Sequence, residues 1–243
     1  MDNATTTGPS PQPAEEPKGA LWRLQGIFFQ PRRTFEEINK KPTWLIALVL
    51  TVVIGAAAMY VMTSRIGVET IIAQQNPNQE LNEQQREFME SPFMAAFFYA
   101  SVVIGTPLVI LVIAVVMMLL YWMAGSEAPF SRVFSVVTHS FFAYSLIGSV
   151  IAVLIILLAQ DPTELDFANL VSSNLGVLVD RIESPVLFSL LSSIDLFSAY
   201  LIFLLSLGLS IVGRKSIGAS VWLVIVPWII YVAGKTAIAY LRS

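Results

Sequence analysis

Five apolar stretches divide this chain, at about residues 44–62, 93–123, 133–159, 185–212 and 220–240. Each is near or above the roughly 20 residues that a helix needs to cross a hydrocarbon core. Polar residues are crowded between them. The pattern predicts an all-α polytopic bundle of five transmembrane helices covering 44–243, preceded by a short amphipathic segment over 21–43. Ala124–Arg132 and Gly213–Ala219 are short connections, so spans two and three, and four and five, are expected to be antiparallel neighbours. Two connections are longer. In the first, Glu80–Glu90 could form a polar helix. In the second, Leu170, Val171, Leu175 and Leu178 have helix-like spacing, which fits either an interfacial helix or an ordinary ordered loop.

The segment before the first span has its own pattern. Leu21, Trp22, Leu24, Gly26, Ile27, Phe28 and Phe29 are apolar with Arg23 among them, and Pro31, Arg32 and Arg33 follow. Thr34-Phe35-Glu36-Glu37 fits a capping box that opens a short helix, and Pro42 ends it before Trp44. Two readings stand. A basic, aromatic segment of this kind can lie on an anionic leaflet, or it can dock under the bundle. Residues 1–20 are rich in Pro, Thr, Ser and Glu and lack an apolar core. They do not read as a secretory signal and are expected to be a disordered cytoplasmic tail.

Composition agrees with the pattern. Of 243 residues, 56% are hydrophobic and only 13% charged, against about 25% charged in a soluble average; mean hydropathy is +0.71. The net charge of −3, with no basic run, gives no reason to expect a nucleic-acid partner. There is no cysteine, which rules out thiol chemistry, and one histidine is too few for an imidazole metal cluster. No cofactor or metal is implied. The expected surroundings are the lipid bilayer, with room for a protein partner at the segment before the first span and for a homo-oligomer.

Charge distribution adds a direction. Lys18, Arg23, Arg32, Arg33, Lys40, Lys41, Arg132, Arg214 and Lys215 fall on one side of a five-span chain. The long connections on the other side are acidic. The N-terminus is therefore expected in the cytoplasm and the C-terminus outside.

Ionisable residues inside spans call for a reason. Ser192, Asp195 and Ser198 share a helical face if span four is continuous, and Asp195 then lies about 14 Å inside the outer end. Lys235 lies in the neighbouring span at the same leaflet. An Asp195–Lys235 ion pair is expected, serving either to lock two helices or to relay a proton. His139 reads as a hydrogen-bonded packing residue. Pro107 and Pro227 are expected to kink spans two and five. No nucleophile elbow, zinc-protease motif or phosphate-binding loop occurs, so no catalytic residue is assigned. A small transporter or channel using Asp195 and Lys235 stands as the alternative to a non-enzymatic role.

Three segments carry a resemblance to a known family. The first is Ile27-Phe28-Phe29-Gln30-Pro31-Arg32-Arg33-Thr34-Phe35-Glu36-Glu37-Ile38 with Pro42-Thr43-Trp44. The second is Phe130-Ser131-Arg132-Val133-Phe134-Ser135-Val136-Val137. The third is Ser192-Ser193-Ile194-Asp195-Leu196-Phe197 with Leu207-Gly208-Leu209-Ser210. Together they resemble the Yip domain family of five-span, Ypt/Rab-interacting membrane proteins. The resemblance implies a cytoplasmic N-terminus and a role in membrane organisation or partner recruitment. The eukaryotic branch is associated with Rab-type GTPases and vesicle traffic. This chain lacks that branch's Asp-Leu-Tyr-Gly-Pro-like segment and is most like a bacterial member, which implies a bacterial inner membrane.

Overall fold

The structure, a computed structural model, describes residues 18–75, 82–89, 91–166, 170–171 and 173–242. The tail expected over 1–20 lies almost wholly outside the described residues, as do Glu80 and Glu90. All regular elements among the described residues are helical. Five helices are long and apolar enough to cross a membrane: Leu45–Ile66, Pro92–Met123, Phe130–Leu158, Leu196–Gly213 and Ile217–Leu241.

Two short helices open the chain. Helix α1 (Ala20–Phe29) and α2 (Pro31–Lys40) form a hairpin around Gln30. Pro31 sits at the first position of α2, where its missing N–H costs nothing. The helix thus starts three residues before Thr34, and the expected capping box does not open it. Thr34 is instead buried inside the hairpin, where its side chain approaches Gly26: a Cβ there would lie 2.5 Å from Thr34 Oγ1.

The first span is α3 (Leu45–Ile66). Helices α4 (Val68–Gln75) and α5 (Glu83–Met89) follow in the first long connection, the latter within the expected polar helix. Span two is built from α6 (Pro92–Ala100), a π-helical turn at Ser101–Gly105 and α7 (Thr106–Met123). The widened turn comes directly before Pro107. Proline has no N–H to offer the carbonyl one turn back, so the ladder loosens there. Helix α8 (Phe130–Leu158) is the central element and packs against α3, α7 and the helix of span four. Span five is α11 (Ile217–Arg242), whose helix continues through Pro227. The expected neighbour pairs, α7 with α8 and span four with span five, are both packed together.

Span four departs from expectation. It is not one helix over 185–212. Helix α9 (Pro185–Leu191) stops, Ser192–Asp195 runs irregularly, and α10 (Leu196–Gly213) begins anew. The second long connection carries a 3-10 turn at Leu175–Leu178 rather than a full helix. It also closes the break. Leu175 N donates to Ile194 O at 3.2 Å and Leu196 N to Ser173 O at 3.4 Å, pairing Asn174 with Asp195 as an antiparallel bridge. Backbone groups that the interrupted helix releases are thereby satisfied, as irregular backbone near lipid requires.

Candidate functional site

The segment before the first span docks into the bundle rather than lying beside it. On one face of the hairpin, Ile27, Phe35 and Ile38 are fully buried. Phe35 reaches α10 at Gly208, where a Cβ would lie 2.8 Å from its ring and 2.5 Å from Val136 Cγ1. Only a glycine lets α2, α8 and α10 meet so closely. Phe28 makes an edge contact with Phe142 of α8, centroids 6.1 Å apart. Trp44 does the same with Phe134 at 5.2 Å.

A charged node lies within this apolar contact. Arg23 is 1% exposed. Its guanidinium donates to the carbonyl of Lys41 and to Thr43 Oγ1. It thereby ties α1 to the linker that leads into α3. Burial pulls the Arg23 guanidinium below its ordinary value, and the charge of Glu37 opposes that shift. Glu37 is buried as well. It accepts from Lys40 Nζ at 2.8 Å and from the Lys18 backbone N–H at 2.9 Å. The Lys40 hydrogen bond, then the Lys18 N–H and the charges of Lys40 and Arg23, outweigh desolvation and hold its carboxyl below the usual range. His139 lies in α8 near Arg23 and is 2% exposed, with Nδ1 2.9 Å from Ser135 O. It is a packed, hydrogen-bonded residue.

The other hairpin face points outward. Leu21 and Phe29 are 73% and 77% exposed. Arg32 pairs with Glu36 at 3.2 Å, and Arg33 lies over the Trp22 ring at 5.6 Å. Pro31 is half-buried at the bend. Of the segment residues read from sequence, Phe28 and Phe35 therefore anchor, while Phe29, Arg32 and Arg33 face out.

At the opposite end, the expected ion pair is not made. Asp195 N-caps α10: its Oδ1 accepts from Phe197 N at 2.8 Å and Ser198 N at 2.9 Å. Lys235 Nζ donates to Ser192 Oγ and Ser193 Oγ, each at 3.1 Å. Among the described residues the two charges form no salt bridge. The break in span four explains this. A continuous helix would aim Asp195 at the neighbouring span, whereas the cap turns the carboxylate toward its own helix. The place of the carboxylate on its helix changes too: α10 spans 18 residues, a rise of about 27 Å, and Asp195 stands at its first end rather than in its middle.

Asp195 also borders an open cavity of about 450 Å³. Its lining includes Thr51 of α3, Thr106 beside the π turn, Tyr144 and Ser149 of α8, and Asn174 of the connection. The hydroxyls among them lie singly or in pairs within apolar runs and form no pattern along the sequence. Sequence reading also passed over the central places of Ser193, Arg23 and Glu37. No cluster of His, Asp or Glu suited to a metal ion occurs among the described residues.

A hairpin-capped bundle of five apolar helices, one of them broken near its end, defines a multi-pass integral membrane protein of the all-α class. The Yip1 domain matches residues 26–238, from the middle of α1 nearly to the end of α11. The chain belongs to the Yip1 domain family. No curated protein and no solved structure matches it.

Proposed function

We propose that the chain is a non-enzymatic membrane protein that organises membrane or recruits a protein partner through the outer face of its N-terminal hairpin. One observation carries this reading. The hairpin is fixed to the bundle by buried Phe35 and Arg23, yet it holds Leu21 and Phe29 outward beside Arg32 and Arg33. Large apolar side chains on a rigid, basic platform suit recognition, since little ordering is left to be lost on binding. The Lys/Arg bias supports a cytoplasmic position for this face, and the sequence likeness to bacterial members supports an inner membrane. A photo-crosslinking residue at Phe29 in native membranes tests the reading. Discrete protein adducts that vanish when Arg32 and Arg33 are both changed to Glu support it; lipid adducts alone overturn it. Adducts at the mass of a dimer would identify a second copy as the partner.

A second reading has its own observation. The cavity beside Asp195 lies where one span is broken and another carries a π turn, features that transporters use to expose backbone to substrate. Proton-coupled flux in proteoliposomes, present in the native protein and lost in Asp195→Asn at normal folded yield, would favour a small transporter over recruitment.

A further inference from the structure

The hairpin face holds a second cleft, separate from the recognition surface. It has a volume of about 260 Å³ and lies between the loop joining α7 to α8 and the loop joining α10 to α11. Arg132, Arg214 and Lys215 line it, against a single carboxylate, Glu127. Lys215 Nζ donates to the carbonyl of Ala124, bridging the two loops. Among the described residues, neither the Arg132 nor the Arg214 guanidinium has a hydrogen-bond or salt-bridge partner; only their backbone N–H groups are bonded, to Pro129 O and Ser210 O. Two arginines thus face a cleft with their donor forks unsatisfied by protein.

Arg214 is further distinguished by its backbone. It ends α10 in the left-handed conformation, with φ 52°. Glycine is the usual residue there, because a Cβ makes that region unfavourable. Gly213 just before it is needed as glycine for another reason: a Cβ would lie 2.5 Å from the Tyr121 ring. The chain therefore carries a long cation at a position where backbone preference favours none. Just before the cleft's first lining residue in sequence, Gly125, Trp122 and Met123 at the end of α7 are 71% and 80% exposed. An indole and a thioether at a span end sit where headgroup and acyl chain meet.

We propose that this cleft binds the phosphate of an anionic phospholipid, with Arg132 and Arg214 as charge-assisted donors, Lys215 closing the loop side, and Trp122 and Met123 against the acyl chains. Guanidinium forks match phosphate oxygens two at a time, and basic pockets between spans are suited to such headgroups. The site is independent of the hairpin's outer face, so either proposal can fail alone.

Native mass spectrometry of the full chain in neutral detergent tests it. The probes are dioctanoyl phosphatidylglycerol, dioctanoyl phosphatidylcholine and inorganic phosphate. Phosphatidylglycerol should be retained at least tenfold better than phosphatidylcholine. Inorganic phosphate should neither be retained nor displace it. The double variant Arg132→Gln/Arg214→Gln should lose that tenfold preference, while Arg65→Gln at the other end should keep it. Arg132 is half-buried and Arg214 exposed. Lys215→Gln, which leaves both arginines in place, gives a second reading of a few-fold loss should the double variant lose yield. Equal retention of the two lipids, or a preference that survives in both variants, overturns the proposal. Retention of inorganic phosphate that displaces the lipid overturns the lipid as ligand and assigns the cleft to a free anion.

Discussion

The two ends of this bundle treat buried polarity in opposite ways. At the hairpin end, Arg23, Glu37 and His139 are sealed in an apolar contact and are met by groups drawn from α2, α8, Lys18 ahead of α1 and the linker before α3. At the other end, Asp195 and Lys235 stand at the rim and are met by backbone N–H groups and serine hydroxyls of a broken span. The first arrangement resembles the interior of a soluble domain. The second resembles a helix terminus that sits at the bilayer edge. The contrast teaches that ionisable residues in apolar runs need not pair with each other; a nearby chain reversal or helix break offers cheaper partners.

The sharpest way to break the comparison is to remove an anchor from the sealed end. Phe35→Ala leaves a cavity over Gly208 and should cost about 3–5 kcal/mol. Its effect is measurable as lost monodisperse yield in detergent and as labelling of an Ile38→Cys reporter, which is clean because the chain has no cysteine. An unlabelled reporter in the Phe35→Ala background would mean that the hairpin does not depend on this contact.

Next in size is Arg23→Met. It keeps most of the apolar stem but leaves the Lys41 carbonyl and Thr43 without their charged donor, a loss of about 2 kcal/mol. Unchanged thermal stability would show that the node contributes geometry and no net energy, as buried charges sometimes do.

At the rim, Asp195→Ala removes a helix cap and should cost about 1 kcal/mol. Asp195→Asn retains an acceptor oxygen and should sit within a few tenths of the native protein. This pair of variants sharpens the distinction most directly. If the Asn variant falls as far as the Ala variant, charge rather than capping is what matters there, and a functional coupling to Lys235 returns.

The smallest effect is one of pH. Glu37 has its carboxyl held low in the folded state, so its contribution is full above the unfolded value of about 4.3. It fades as pH falls through the folded value. Thermal stability in detergent should therefore fall on acidification below about pH 4, and Glu37→Gln should flatten that fall. A profile that is the same in both proteins would remove Glu37 from the account.

The five spans were legible because an apolar run of span length is itself the signal; no packing detail is required. The break at Ser192–Asp195 was not. Ser192, Asp195 and Ser198 are three apart, which fits a helix as well as it fits a stop and restart. An Asp directly before the apolar run Leu196–Leu205 is also an N-cap signature. That signal was overridden by the apolar residues upstream, which belong to α9. Docking of the hairpin was equally hidden. The amphipathic pattern of Leu21–Ile38 specifies a buried face but not what buries it, and Gly208, the residue that makes room, lies some 170 positions away in sequence. The start of α2 was misread for a local reason: Pro31 at the first helical position is a stronger start than Thr34.

The length of α10 has a consequence for the surrounding lipid. Its 18 residues rise about 27 Å, while the 29 residues of α8 rise about 43 Å. Around one molecule the hydrophobic wall therefore changes height. Taken by itself, α10 is slightly shorter than a core of about 30 Å, whereas α8 exceeds one and is matched only by tilting or by extending beyond it. A bilayer around such a bundle meets helices of unequal length on different sides, so the mismatch it must accommodate is uneven around one molecule.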